Sequence, residues 1–214
     1  MQIPVIIMAG GKGKRFKFDE INSECQEKLL LPLGNKTIIE HVIEAMLNSK
    51  SINRVIIAVS PSSKQTKSIL EKLKKSIEIF DTPGAGFHLD IKYIMKKLNL
   101  KSTLIVSGDI PLIKPEFIDN IIEKFFNLNK PSLTVMADEK SFIEKNLTPT
   151  ITFESSSDKK KLVPLGINII NGDYIEEPEI DQVQIISNET ELLYNINTAK
   201  DYILLKSFFD KNQV

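Results

Sequence analysis

The chain has one cysteine, two histidines, no excess of either charge and no long apolar run, and each shortage removes a class of function. A lone Cys25 cannot close a disulfide within the chain, which fits a reducing cytoplasm. It stands in a polar loop with no histidine nearby, so it reads as a bystander thiol. His41 falls on the polar side of a helix and reads as solvated; His88 stands at the start of another and reads as a capping or surface residue. Lys plus Arg equals Asp plus Glu at 28 each, so no net field draws the protein to nucleic acid or to an anionic membrane. No apolar run approaches the roughly 18 residues of a membrane span, and the N-terminus reads as a strand, not a signal peptide. Neither an internal repeat nor a low-complexity linker is visible. The 214 residues, 42% hydrophobic and 26% charged, are read as a single domain over 1–214 with a core that needs no disulfides.

What is present is concentrated near the N-terminus. Ile3-Pro-Val-Ile-Ile-Met-Ala9 is a wholly apolar run that stops at Gly10-Gly11-Lys12-Gly13-Lys14-Arg15. The run reads as a buried first strand entering a tight loop. Glycines there let backbone N–H groups approach a ligand that a side chain would exclude. Lys12, Lys14 and Arg15 place positive charge around the same hollow, which suits a nucleotide's phosphates. A P-loop would need Ser or Thr after Gly13-Lys14, where Arg15 stands, and a dinucleotide fingerprint would need a third glycine where Phe16 stands.

Downstream, the hydrophobic pattern alternates between strand and helix. Thr37 to Asn48 carries apolar residues at helical spacing behind a possible Thr37 cap. Arg54 to Ser60 reads as a strand, and Ser60-Pro61-Ser62 as the opening of a helix through Ser76. Its lysines are interleaved with Glu71 and an apolar face, so they read as a solvated surface. Ile77 to Phe80 is a short strand ending in the turn Asp81-Thr82-Pro83-Gly84-Ala85-Gly86, and a helix bearing Leu89, Ile91, Ile94, Met95 and Leu98 follows. Ser102 to Ser107 is a strand that ends in Gly108-Asp109-Ile110-Pro111-Leu112. A carboxylate just past the C-terminal end of a central parallel strand lies where open α/β sheets bind ligands. Glu116 to Phe126 reads as a helix and Ser132 to Ala137 as a strand. The alternation then fails: strands are expected over Pro149 to Glu154, Leu162 to Ile170 and Val183 to Ile186, and a last helix over Ala199 to Phe209. The expected fold class is therefore α/β, a Rossmann-like three-layer sandwich with a mostly parallel sheet flanked by helices and a small β excursion. Gly166, on an otherwise β-branched strand, marks a place where something approaches the backbone closely.

Ala-Gly-Gly-x-Gly-x-Arg after a strand, with Glu27-Lys28-Leu29 and Leu30-Leu31-Pro32-Leu33 downstream, resembles the signature of the MobA-like NTP transferases. These enzymes move a nucleoside monophosphate from an NTP onto an acceptor, on a fold like that of the nucleotide-diphospho-sugar transferases. The resemblance implies that Ala9, Gly10, Gly11, Lys12 and Gly13 wrap the triphosphate and that Arg15 and Lys28 contact its phosphates. It also implies that Asp109 holds Mg²⁺ with a later Asp or Asn, here Asn197, which is alternatively a helix cap or a ribose contact. Where the family usually has Met-Gly after the arginine, this chain has Phe16-Lys17.

The second half is similar to the archaeal-type adenosylcobinamide-phosphate guanylyltransferases. The likeness rests on Leu162-Val-Pro-Leu-Gly166-Ile-Asn168, Asn195-Ile-Asn197-Thr198 with Asp201 after it, and the run from Asp81 to Asp90. That resemblance implies GTP and adenosylcobinamide phosphate as substrates, Mg²⁺ as cofactor and a place in cobalamin nucleotide-loop assembly. Ser60, Thr82, Gly86, Gly166 and Asn197 are then expected on the nucleotide, with Ser60, Thr82 and the turn to Gly86 near the base unless that turn only links strand to helix. The acceptor phosphate is already anionic at neutral pH, so no strong general base is required. A nucleic-acid partner is not expected, and a homodimer is left open. Three rivals stand beside this reading: a molybdenum-cofactor guanylyl- or cytidylyltransferase, a sugar-nucleotide pyrophosphorylase (a group that usually carries additional C-terminal structure), and a nucleotide-binding regulatory module that has lost catalysis.

Overall fold

In a computed structural model the residues described are 1–11, 13, 15–21, 25–73, 75–149, 151–155 and 159–212. The elements run in the order β1 (Ile3–Met8), β2 (Pro32–Leu33), β3 (Lys36–Thr37), α1 (Ile38–Asn48), β4 (Ile52–Val59), α2 (Lys64–Leu70), β5 (Glu78–Asp81), α3 (Phe87–Lys97) and β6 (Thr103–Ser107). The order continues with α4 (Pro115–Leu128), β7 (Ser132–Asp138), α5 (Glu139–Glu144), β8 (Phe153–Glu154), β9 (Lys161–Ile170), β10 (Gln182–Ile186) and α6 (Ala199–Asn212). A mostly parallel eight-stranded sheet results, ordered β10-β7-β9-β6-β1-β4-β5, with β8 paired to β9. Only β9 runs against the other described strands of this sheet, antiparallel to β6, β7 and β8. This is the expected fold class, a sheet with helices on both faces.

Side-chain alternation explains the layers. Val5 and Ile7 of β1, Val55 and Ile57 of β4 and Leu104 and Val106 of β6 point to one face, packed with residues of α1, α4 and α6. Ile6, Ile56, Ala58 and Ile105 point to the other and meet Ile91, Ile94 and Met95 of α3. The central strands are thus apolar on both faces, as a covered parallel sheet requires. Each fully buried Val, Leu or Ile contributes about 1.5–3 kcal/mol, more than a typical single hydrogen bond, so burial holds the sheet and polar contacts set its details. At the start of α1, Glu40 reaches back to accept the Thr37 N–H at 2.8 Å, half of a capping box.

Three expectations need correction. The helix placed from Ser60 through Ser76 occupies only Lys64–Leu70. The Ser60 N–H donates to Ser63 Oγ at 2.9 Å and the Ser63 N–H to the Ser60 carbonyl at 3.0 Å, closing a turn that includes Pro61. Serine hydroxyls compete with a helix for just these backbone groups. The strand expected from Pro149 to Glu154 is only Phe153–Glu154. His41 is not solvated: its Nε2–H donates to the Leu33 carbonyl at 2.8 Å, and its ring meets Phe209 edge-on at 5.4 Å. The sequence reading also passed over α5 and the β2–β3 hairpin, whose strands are two residues each. The lysine-rich α2 behaves as a surface, with Lys67 paired to Asp81 at 2.7 Å. No helix among the described residues is long and apolar enough to cross a membrane.

Candidate active site

The first strands of the sheet end at one cleft. The Ala9 N–H donates to the Ala58 carbonyl at 2.8 Å, extending β1 along β4 before the chain leaves the sheet at Gly10. A Cβ on Gly10 would lie 2.9 Å from Ser60 Cβ, so only glycine fits there. Ser60 Oγ donates to the Gly10 carbonyl at 2.8 Å and Ser62 Oγ to the same carbonyl at 3.2 Å. Ser60 is therefore a brace for the loop. Gly11 faces open space, with no atom within 4 Å of where its Cβ would be. The loop closes with the Phe16 N–H on the Gly13 carbonyl at 2.8 Å. Lys12 and Lys14 lie outside the described residues.

A second group of residues forms the deep end. Asp109 lies just past β6, and its Oδ2 accepts from Lys28 Nζ at 2.6 Å. The same ammonium donates to the Ile196 carbonyl at 2.6 Å. The Ile196 N–H in turn donates to the Asp109 carbonyl at 3.1 Å. Asp109 Oδ1 is buried and has no hydrogen-bond partner among the described residues. Buried carboxylate oxygens are normally satisfied, so this one points to a missing cationic or donor ligand. Next along the chain, Asn197 is 5% exposed and accepts from Arg15 Nη2 on its Oδ1 at 3.1 Å. Its Nδ2 donates to Asn195 Oδ1 and, at 3.3 Å, to the Thr148 carbonyl. Arg15, Lys28, Asp109 and Asn197 thus converge from four distant places in the sequence.

Two carboxylates unassigned by the sequence reading fix this arrangement. Glu27 accepts the N–H groups of Gln65 and Thr66, both at 2.8 Å, and so fastens the turn bearing Lys28 to the first turn of α2. An anion is favourable at that end of a helix, and only the fold brings Glu27 to it across 38 residues of sequence. Asp201, 1% exposed, accepts from the backbone of Thr148 (3.0 Å), Asn197 (3.2 Å) and Thr198 (2.8 Å) and from Thr198 Oγ1 (2.8 Å). Its position three residues after Thr198 is the pattern of a capping box, so it was readable.

The cleft itself encloses about 390 Å³, with Ala9, Gly10, Gly11 and Gly13 on one side, Lys28 and Asp109 at its base and Gly84, Ala85 and Gly86 opposite. Three residues expected on the nucleotide have partners within the protein. The Thr82 N–H and Oγ1 both donate to the Val59 carbonyl, at 2.7 and 2.9 Å, so this hydroxyl closes a turn beside the cleft. Ser60 serves Gly10, as above. Gly166 has φ +73°, and a Cβ there would lie 2.7 Å from Ser107 Oγ. The close approach that its sequence context announced is made by the neighbouring strand β6. Cys25 is half-buried and donates from Sγ to the Glu27 carbonyl at 3.2 Å.

Residues 5–156 match the model of the MobA-like NTP transferase domain. The chain belongs to that family. It is 30% identical over 97% of both chains to the adenosylcobinamide-phosphate guanylyltransferase of Methanocaldococcus jannaschii. To a probable molybdenum cofactor guanylyltransferase of Thermococcus sibiricus it is 34% identical, over 58% of this chain and 56% of the other. A solved nucleotidyl transferase from Methanothermobacter thermautotrophicus superposes with TM-score 0.69 at 16% identity over 99% of both chains, a likeness of fold. The glycine loop and the Asp109 carboxylate here share one cleft.

Proposed function

We propose that the protein is a cytoplasmic guanylyltransferase that moves GMP from GTP onto adenosylcobinamide phosphate, giving adenosylcobinamide-GDP and pyrophosphate. The observation that carries the acceptor is the reach of the likeness. The relative acting on adenosylcobinamide phosphate aligns over 97% of this chain, whereas the molybdenum-cofactor relative from Thermococcus aligns over 58%. The reaction needs both ends of the chain, because Lys28 and Asp109 are completed by residues 195–198.

In this reading the Gly10–Gly13 loop receives the triphosphate, and Lys28 neutralises charge on the reacting phosphate. Arg15, now on Asn197, moves to the phosphates and frees the Asn197 oxygen. The acceptor's phosphate oxygen attacks the α-phosphorus of GTP in line with departing pyrophosphate. That nucleophile is already ionised, so catalysis is positioning and charge stabilisation. Mg²⁺ fits Asp109, whose Oδ1 is buried and unpartnered; this ion characteristically takes one or two protein oxygens, with phosphate and water supplying the rest. When bound, it supplies charge neutralisation on the phosphates.

The test is to incubate the protein with GTP and Mg²⁺ and either adenosylcobinamide phosphate or molybdopterin, following pyrophosphate. Release with the corrinoid is the expected result. Release with molybdopterin alone would overturn the acceptor, and GTP binding without release from either would make the protein a regulatory module.

A further inference from the structure

Asp90 has no role in the chemistry above, yet it is placed where a ligand would meet it. It lies on the first turn of α3, is 5% exposed and lines the cleft. One of its oxygens, Oδ1, accepts the Ala85 N–H at 3.1 Å, which holds the Gly84–Gly86 turn against the helix. Among the described residues no second donor and no cation meets the carboxylate. The carboxylate lines the cleft, where a ligand can supply the further donors that a largely buried anion favours. Beside it, Phe87 brings an aromatic ring to the same cleft. Gly86 has no atom within 4 Å of where a Cβ would stand, so the wall between them is open.

Asp109 is paired with the Lys28 ammonium whereas Asp90 has no cation beside it among the described residues, so the phosphate end of a nucleotide belongs with Gly11, Lys28 and Asp109, and the base end with Asp90. The four common bases differ in what they show an acceptor pair. Guanine alone presents two adjacent donors, N1–H and the exocyclic N2–H₂. Adenine, cytosine and uracil each set their one edge donor beside acceptors, which a carboxylate repels. We infer that Asp90 reads the N1–H and N2–H₂ edge of guanine and is the residue that selects GTP. This rests on the GTP-dependent reading above. On this reading the Gly84–Gly86 turn, which lines the same cleft, would stand beside the base, with the helix carboxylate behind it as the selecting group.

The experiment is calorimetric titration of the full-length chain with Mg²⁺ and GTP, ITP, XTP, dGTP, ATP or CTP. ITP lacks the exocyclic amine and should bind about tenfold to a hundredfold more weakly than GTP, the range for one hydrogen bond to a charged group. Asp90→Asn keeps an oxygen for the Ala85 N–H but offers a donor amide to the base. It should lose GTP and gain XTP, which carries a carbonyl in place of the amine. Equal wild-type affinity for GTP and ITP would overturn the assignment, even if the variant does not fold. So would an Asp90→Asn protein that keeps its GTP preference, or a wild type that tolerates ITP while rejecting dGTP, since the carboxylate would then hold the ribose. A wild type that binds ATP or CTP as well as GTP would instead remove the guanylyltransferase reading itself.

Discussion

Lys28 and Asp109 stand 81 residues apart in the chain and meet at 2.6 Å, at the floor of the cleft, with each side chain 17% exposed. This pair joins the proposed phosphate-binding half of the site to the proposed metal-binding half. A lysine in such a contact holds one carboxylate oxygen and leaves the other directed elsewhere. Asp109→Asn should therefore cut turnover by a factor on the order of 10²–10³, the usual loss of one charge-stabilising contact. Melting should hardly change, because the amide keeps the shape. Pyrophosphate release titrated with Mg²⁺ is the measurement, and wild-type turnover at ordinary Mg²⁺ would assign the metal to other ligands.

Gly11→Val should abolish GTP binding and leave the fold intact. No described residue occupies the space a side chain would enter, so the valine is expected to meet the ligand. Calorimetry with GTP, next to circular dichroism of the same preparation, checks both halves; undiminished affinity in a folded variant would remove the phosphate hollow from this loop.

Asp201→Ala should lower stability by about 1–3 kcal/mol, because it strands buried backbone donors at Thr148, Asn197 and Thr198. Urea unfolding gives the number. Turnover should fall as well, since Asn197 loses the contact that fixes its backbone. Asp201→Asn, with one acceptor oxygen retained, should lie between the two.

How much of this was legible depends on how local each signal is. The glycine loop, Lys28 and Asp109 announce themselves because each sits in a short string at the end of a strand. Arg15 on Asn197 spans 182 residues, and only the fold shows that the guanidinium meets that amide. Thr82 and Ser60 were drawn toward the nucleotide by their residue type and neighbourhood. Their hydroxyls satisfy the carbonyls of Val59 and Gly10, partners that sequence spacing does not reveal. His41 was misplaced for a related reason: its partners, Leu33 and Phe209, come from a hairpin of two-residue strands and from the last helix. The short α2 reflects serine hydroxyls that outcompete the helix, a local effect that could have been read.

Gly166 was correctly marked as a point of close approach, but the neighbour is Ser107. Gly166→Ala should destabilise by about 1–3 kcal/mol through the positive φ alone, with the Ser107 clash added. Ser107→Gly in the same chain should recover the clash and not the backbone strain. GTP affinity should be unchanged in a folded Gly166→Ala protein, because position 166 does not line the cleft. Chemical denaturation together with GTP titration separates these effects.

The placement of β9 between β6 and β7 dictates an order of assembly during synthesis. Chains emerge from the ribosome N-terminus first and begin folding as they do. β1, β4, β5 and β6 can pair as soon as they appear, forming the glycine loop and its cleft walls. β7 emerges before its partner and has no described neighbour to join until residues 161–170 follow. Ile196 and Asn197 reach Lys28 and Arg15 later still. A nascent chain therefore has a place for a nucleotide before it has the parts that would make that nucleotide react.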